Sequence, residues 1–467
     1  MTDSPHSAEQ FDLAIVGAGA AGLFAAIWAG RTLRDARAPG SPHLRIIALD
    51  GAKKLGAKIL VAGGGRCNVT HHQVDEAAYA GSSRNAVRKV LGRFDVQRTI
   101  EFFESLGVTL KREETGKLFP TTDDAHTILD ALLSAASTAG VELRHPWRAV
   151  GIARTPDAQF LITRAPASPS PDAESGNAGD TPSDPSAAIR DDLAHTAPPP
   201  ETILARRVIL ATGGMALPRS GSDGVGYSFA KSLGHTITQR VFPALVPLIV
   251  HESSFIRALS GLTLPTTLSV HAGNAKRLAS FTNSTLCTHF GLSGPGPLDI
   301  SRYYFDARAT DPGASLLINW LPTTDAESLS SAIAAAARTP VGVFLDRRPH
   351  HLPSRLLAAL LSHADVDPQA PCDNLPRAKR LALAGSVCAM PVPVTGSRGY
   401  TYAEVTAGGV PLAEVRLESM ESRVCPGLHI IGELCDVDGR IGGFNFQWAW
   451  ASGFVAGAAA GTSLHAQ

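Results

Sequence analysis

Three glycines spaced as Gly17-x-Gly19-x-x-Gly22 follow a short apolar run at 11–16 and precede an apolar helical pattern at 23–29. Strand, glycine loop and helix in that order form the arrangement that receives the pyrophosphate of a dinucleotide. Gly17 permits the tight turn, Gly19 lets the backbone approach the phosphates, and Gly22 lets the helix pack close to the strand. Ala20 and Ala21 open the helix, whose free N–H groups and partial positive charge favour an anion. A second strand, 44–49, ends at Asp50, a natural acceptor for ribose hydroxyls. Asp50 lies 28 residues past Gly22 rather than the usual ~20. The polar, Pro-containing connection 31–42 accounts for the excess.

Later elements decide which dinucleotide binds. The strand Val208-Ile209-Leu210 runs into Ala211-Thr212-Gly213-Gly214, and Ile430-Ile431 runs into Gly432-Glu433, followed by Asp436, Asp438 and Gly442-Gly443-Phe444-Asn445. Such a late element brings an acid to ribityl hydroxyls and a helix N-terminus to a flavin ring. NAD alone does not need elements spread over the whole chain; FAD does. Between the second strand and the first long helix, the stretch 58–71 carries Lys58 and then Gly63-Gly64-Gly65-Arg66-Cys67-Asn68. Consecutive glycines with a cationic, hydrogen-bonding rim make a backbone nest for an anion. Cys67 has no resolving cysteine nearby in sequence and reads as a packed, inert thiol. The expected FAD-binding residues are Gly17, Gly19, Ala20, Ala21, Gly22 and Asp50; Lys58, Gly65, Arg66, Cys67 and Asn68; Val150 on the strand 149–152; Ala211, Thr212 and Gly213; and Gly432, Glu433, Asp436, Gly442, Gly443, Phe444 and Asn445.

A flavin supplies the hydride chemistry, and the protein must add position and a proton. Candidate proton donors or oxyanion stabilisers near the glycine-rich loops are Arg66, His71, His289, Arg398 and Tyr400. Arg66 is favoured because it belongs to the flavin loop. No second G-x-G-x-x-G follows a strand: Gly221-Ser222-Asp223-Gly224-Val225-Gly226 follows a turn. NAD(P)H therefore has no Rossmann domain of its own and is expected as a transient reductant. No metal site is expected, since none of the six cysteines forms a C-x-x-C pair.

These motifs together resemble the BaiN-like family of bacterial NAD(P)/FAD-dependent oxidoreductases. The resemblance runs from residue 11 to about 460 and includes Gly116-Lys117-Leu118-Phe119-Pro120, the Thr288-His289-Phe290-Gly291 run through Pro295, and Asp436 through Trp450. It implies a two-motif FAD fold with an inserted β-barrel-like domain and a small helical piece. It further implies reduction of a carbon–carbon double bond conjugated to a ketone. The acid at Asp50 is the shorter of the two used there, and the segment 165–201 has no counterpart.

The elements that must position these residues follow from periodicity. The fold class is α/β: a discontinuous Rossmann-like FAD-binding domain with an inserted β-barrel-like domain and a small helical subdomain. The boundaries are a flexible N-terminus at 1–10, a first FAD-binding part at 11–243, an inserted β-rich unit at 244–395 with its helical piece at 322–390, and a second FAD-binding part at 396–467. One helix is expected over 85–106 and another over 125–139, capped by Asp123 or Asp124. Short strands are expected at 245–250, 266–271, 278–281 and 315–320. The segment 165–201, rich in Pro, Ser and Asp and lacking aromatics, reads as a disordered insertion.

The 467 residues carry 42 Lys+Arg against 42 Asp+Glu, so no net charge draws the chain to nucleic acid or anionic lipid. The apolar stretch 448–461 is shorter than the ~20 residues of a span, and no secretory signal opens the chain. A cytoplasmic enzyme with a small-molecule substrate, no membrane and no nucleic-acid partner is the expectation; its oligomeric state is left open. Two rival readings remain: a flavoprotein that modifies RNA, and a non-catalytic FAD-binding redox sensor.

Overall fold

The structure is a computed structural model and describes residues 8–36, 43–165 and 201–465. Most of the expected N-terminal tail, positions 37–42 of the first connection and nearly all of the 165–201 segment lie outside the described residues.

Nearly continuous apolar runs become parallel strands buried on both faces. Glu9–Val16 pairs with Thr202–Leu210 on one side and Ile46–Leu49 on the other. Val141–Arg144 continues the sheet beyond Ile46–Leu49, and Leu428–Ile430 continues it beyond Thr202–Leu210. Two short antiparallel strands, Val415–Arg416 and Glu421–Ser422, extend one edge. Phe160–Arg164 joins Thr202–Leu210 antiparallel and carries Ala149–Arg154 outside it. Gly17, Asp50 and Ala211 each come directly after a strand end and Gly432 comes two residues after one, and these four strands are adjacent in the sheet. Ligands of open α/β sheets sit at this carboxyl edge.

Helix Ala20–Ala36 crosses helix Phe444–His465 at very short range. Gly453, Gly457 and Gly461, one per turn, face it; a Cβ at these positions would stand 2.8, 2.2 and 3.0 Å from the carbonyl oxygens of Ala21, Ala25 and Ala29. This packing explains the Ala/Gly-rich stretch 448–461. Among the described residues, no helix is long and apolar enough to cross a membrane.

Apolar contacts divide into two main cores. One draws on residues 11–233 and again on 410–464, and the other lies wholly within 248–392. The second core lies under a seven-stranded sheet in which Thr263–His271 and Arg277–Thr288 form a long hairpin. Its edge strands, Met390–Pro391 and Val394–Ser397, do not pair with each other. Helix Pro295–Thr310 packs on this hairpin, and helices Ala326–Ala335, Ser354–His363 and Arg377–Cys388 supply the helical piece.

Local structure departs from the sequence expectation at four places. The helix expected over 85–106 is two, Arg84–Leu91 and Val96–Ser105, because the chain breaks at Gly92 and Asp95 caps the second by accepting from Arg98 N–H at 2.9 Å. The strand expected at 245–250 is confined to Leu248–Val250; a separate strand, Phe242–Ala244, ends just before Leu245, whose φ of 47° breaks the extended run. The short strand at 278–281 is part of a twelve-residue strand, its polar residues lying on a half-exposed face. Helix Pro295–Thr310 was not foreseen; its prolines at 295 and 297 read as breakers but lie in the first turn, where the lost N–H is not missed. For the helix Ala125–Thr138 the cap is Asp124, which accepts from His126 N–H at 2.9 Å.

Candidate active site

The carboxyl edge of the parallel sheet opens into one cavity of about 650 Å³ that continues to the inserted unit. The first glycine loop forms one wall. A Cβ on Gly22 would lie 1.8 Å from Gly17 O, and one on Gly17 2.4 Å from Ala211 O, so strand, loop and helix close on one another only without side chains. At Gly19 a Cβ would meet nothing within 4 Å. That open space faces the N-terminus of helix Ala20–Ala36. Asp50 is fixed by both oxygens, Oδ2 accepting from Ala18 N–H and Oδ1 from Ala52 N–H, each at 2.8 Å.

The triglycine loop is anchored from the far end of the chain. Gln447, fully buried in the C-terminal helix, accepts from the Thr70 and Thr99 hydroxyls at 2.7 and 3.0 Å and donates to Phe94 O at 2.9 Å. Trp450 Nε1 donates to Val69 O at 2.8 Å, and Trp448 Nε1 donates to Gly432 O at 3.0 Å. Lys58 forms an ion pair with Glu433, whose Oε1 also accepts from Thr406 N–H at 2.9 Å. Residues 375 positions apart thus meet across the cavity.

Of the residues expected from the sequence, Gly17, Gly19, Ala20, Ala21, Asp50, Lys58, Arg66, Asn68, Ala211, Thr212, Gly213, Gly432, Glu433, Gly442, Gly443 and Asn445 line this cavity. Six do not. Gly22 serves packing, and Gly65 ends the loop and accepts from Ala125 N–H at 2.9 Å. Cys67 is buried, and burial pushes its thiol up to about 12, which removes any thiolate chemistry. Val150 is 47% exposed on its strand, and its neighbour Ala149 borders the cavity instead. Asp436 turns to Ser82, its carboxyl raised by burial; Phe444 stacks on His71 at 5.0 Å.

The catalytic candidates separate in the same way. Arg66 borders the cavity, but its guanidinium is held by Glu113 at 2.6 Å and Asp123 at 3.6 Å and lies over the Phe119 ring. His71 presents its two ring nitrogens to Gln73 O and Thr115 O at 2.8 and 3.1 Å. His289 is exposed and lies outside the cavity lining, and Tyr400 donates its hydroxyl to Val241 O at 3.0 Å. Arg398 stacks on Tyr402 at 3.8 Å, and Tyr402 does border the cavity.

Among the lining residues that the sequence reading did not single out as site residues, the charged ones are Lys117, Arg148, Arg440 and Glu404. Glu404 borders the cavity with its side chain accessible from it; desolvation by the surrounding protein raises its carboxyl, against the pull of Lys117 and Lys58. Its only signal in sequence is an acid isolated among small and apolar residues, Ala403 to Ala407. Outside the cavity, Ser422, His235 and Glu414 hydrogen-bond in the order of a hydrolytic triad, at 2.8 and 2.7 Å. Ser422 is buried and its hydroxyl also accepts from the N–H groups of Val424 and Cys425, so the trio is a clamp on the sheet edge.

The lining fits an FAD. The Gly17–Ala21 turn and the helix N-terminus suit a pyrophosphate, and Asp50 suits a ribose. Asn68 Oδ1 is buried in the lining with no hydrogen-bond partner among the described residues. Such an orphaned acceptor calls for a ligand donor.

The model of the HI0933-like protein Rossmann domain matches residues 11–170 and 189–459. A ribosomal RNA dihydrouridine synthase of Escherichia coli (strain K12) is 30% identical over 449 residues, covering 96% of this chain and 97% of that one. A 3-dehydro-bile acid delta(4,6)-reductase of Clostridium scindens is also 30% identical over 449 residues, with 96% and 98% covered. Among solved structures, 3-ketosteroid delta1-dehydrogenase from Sterolibacterium denitrificans aligns over 97% of this chain and 100% of its own, at 12% identity and a TM-score of 0.48. The chain belongs to the HI0933-like family and is an FAD-dependent oxidoreductase with a Rossmann-like fold.

Proposed function

We propose that this enzyme saturates a carbon–carbon double bond conjugated to a carbonyl, in a flat and largely apolar substrate, with NAD(P)H as the electron source. The observation that carries the reading is the continuity of one cavity from the phosphate loop to the seam with the inserted unit, where Leu245, Tyr402, Glu404 and Ile441 border it. A dinucleotide held at one end leaves a mixed apolar and charged chamber at the other. The names of the two relatives support the same chemistry, since a 3-keto Δ4 bile acid and a uracil ring both carry a C=C conjugated to a carbonyl.

In this reading Gly17–Ala21, Asp50, Asn68 and the Gly432–Glu433 and Gly442–Asn445 loops hold the FAD. Bound and reduced, FAD supplies a hydride to an electron-poor carbon. Leu245 and Ile441 exclude water from the chamber. Lys117 Nζ makes no hydrogen bond or ion pair among the described residues and is available to steady a carbonyl oxygen as negative charge develops on it.

The test is direct. Heat release of the bound cofactor should yield FAD; anaerobic NADH or NADPH should bleach the flavin; and 4-androstene-3,17-dione or 2-cyclohexenone should restore its colour. A bleached flavin that no enone reoxidises would overturn the proposal. The E. coli relative's name favours a second reading, in which the double bond belongs to uridine in RNA. Against it stands the balanced charge; salt-dependent binding of ribosomal RNA and appearance of dihydrouridine would establish it.

A further inference from the structure

We infer that Glu404 is the proton donor of this reaction, passing its carboxyl proton to the carbon beside the one that accepts the hydride. The assignment rests on the reductase reading above. It begins with the strand Val405–Ala407, which pairs antiparallel with Phe242–Ala244 where the chain leaves the first core and returns to it. Glu404 lies directly before this strand: Val405 and Thr406 are buried outside the cavity lining, whereas the Thr401–Glu404 stretch borders the chamber and ends in the Glu404 carboxyl. The backbone on either side is pinned. Glu404 N–H donates to Leu245 O at 3.1 Å, Thr406 N–H donates to Glu433 at 2.9 Å, and the Thr406 hydroxyl accepts from the N–H groups of Met215 and Ala216 at 2.8 and 3.0 Å.

The neighbouring acids are all engaged. Glu433 pairs with Lys58, Asp50 holds two backbone N–H groups, and Asp299 holds Arg440 at 3.1 Å and Ile441 N–H at 2.8 Å. The Glu404 carboxylate alone of these four makes no hydrogen bond or ion pair among the described residues, which leaves it free to meet a molecule in the cavity. The charged groups around it are Lys117 from strand Lys117–Pro120, Lys58 from helix Ala57–Val61, and Asp299 from helix Pro295–Thr310, with Arg440 and Glu433 tied to the last two. Burial and Asp299 favour its protonated form, while the two lysines oppose it, and burial dominates. A carboxyl held above its ordinary range is displaced in the direction a general acid needs.

The step balances. The hydride, with both its electrons, is supplied by reduced FAD and bonds to the carbon far from the carbonyl. The π pair of the C=C takes the Glu404 proton at the carbon next to the carbonyl. Glu404 is left as a carboxylate and regains a proton from water entering by the cavity mouth. Other polar groups are less suited: the Tyr402 ring is covered by the Arg398 guanidinium, and Arg66 and His71 are committed elsewhere.

Two measurements on the FAD-loaded protein test this, using wild type, Glu404→Gln, Glu404→Asp and Tyr402→Phe. The first is the midpoint potential of the bound flavin against pH. A carboxyl beside the reactive ring bends the wild-type curve at its ionisation; Glu404→Gln removes the bend and Glu404→Asp keeps one. The second is single-turnover reoxidation of the reduced protein by 4-androstene-3,17-dione and 2-cyclohexenone. Wild type should slow as pH rises through the bend, Glu404→Gln should be slower by ~10²-fold or more and flat with pH, and Glu404→Asp should recover part of the rate. Superimposable potential curves, a Glu404→Gln rate like wild type, or the whole rate loss falling on Tyr402→Phe would each overturn the assignment. If no enone reoxidises wild type while the potential curves differ as described, the reductase reading falls but Glu404's place beside the flavin stands. An unchanged flavin content and circular dichroism in Glu404→Asp guards against a folding defect.

Discussion

Substituting Gly457 by alanine tests whether the contact between the two longest helices sets both stability and cofactor retention. In an open helix the change would stabilise by about 1 kcal/mol, because alanine loses less backbone freedom. Here the new Cβ would stand 2.2 Å from Ala25 O, 2.9 Å from its carbonyl carbon and 3.0 Å from its Cα. All three atoms are helix backbone and cannot rotate aside. Relief requires the helices to separate locally by about 1 Å before the closest contact reaches an ordinary 3.4 Å. Overpacking of this kind costs about 1–3 kcal/mol; with contacts this short on backbone atoms the upper part of that range applies, which offsets the propensity gain and leaves a net loss of up to about 2 kcal/mol. The same separation moves Ala21 and Ala25, hence the turn that faces the phosphates, so FAD should dissociate several-fold more readily. Gly385→Ala is the matched control: it lies in helix Arg377–Cys388, where a Cβ meets nothing within 4 Å, and should stabilise. Urea unfolding followed by tryptophan fluorescence, with FAD content measured on the same samples, reads both effects. If Gly457→Ala is as stable as wild type, or shifts in the same direction as Gly385→Ala, the helix contact is not what holds the site together.

Gln447→Leu removes one acceptor for two hydroxyls and one donor for Phe94 O; leaving these groups buried and unmatched should cost about 2–4 kcal/mol and loosen FAD, and unchanged urea midpoints would refute the anchor. Burial raises the Asp438 carboxyl from 3.8 to about 6 despite Arg302 beside it. The folded state therefore binds the proton more tightly than the unfolded chain, and stability present at low pH is lost as pH rises from about 4 to 6, by up to ~3 kcal/mol. Asp438→Asn should flatten that limb of the stability–pH curve, and a superimposable limb would refute it. Arg66→Ala should speed FAD loss, because Glu113 and Asp123 lose the cation that closes the loop. Its single-turnover hydride transfer should stay within a few-fold of wild type; a large loss with FAD retained would return Arg66 to the chemistry.

Much of the nucleotide-binding half was legible because its constraints are local. Gly17, Gly22 and Asp50 sit where strand, turn and helix fix the spacing, and so does the Ala211–Gly213 turn. The chamber beyond the nucleotide loops was not legible. Glu404 acquires its meaning from Lys58, Lys117 and Leu245, and no periodicity links positions so far apart in the chain. Arg66 and His71 show the converse: chemically able side chains in a promising loop, whose polar atoms are claimed by Glu113, Gln73 and Thr115. Pairing of this kind is invisible until the fold brings the partners together. Helix Pro295–Thr310 was hidden for a different reason, its prolines lying in the one turn that tolerates them.

That helix shows how the second core is registered on the first. It offers Asp299 and Arg302, one turn apart, to a segment that offers Asp438 and Arg440. Arg302 meets Asp438 at 3.0 Å and Arg440 meets Asp299 at 3.1 Å, so each side contributes one cation and one anion. Asp299 and Asp438 are both buried, and desolvation offsets much of the attraction in such pairs. Their effect is on placement. A slip of one helical turn would set Arg302 against Arg440, or Asp299 against Asp438, and like charges out of water are strongly unfavourable. Asp299 also takes Ile441 N–H at 2.8 Å, directly before the Gly442–Gly443 turn. The register that aligns the charges therefore also fixes Ile441 and Gly442 at the chamber wall, within the same cavity that Glu404 borders. Chemistry at such a seam depends on two separate apolar cores meeting in one arrangement, and the crossed ion pairs disfavour the shifted ones.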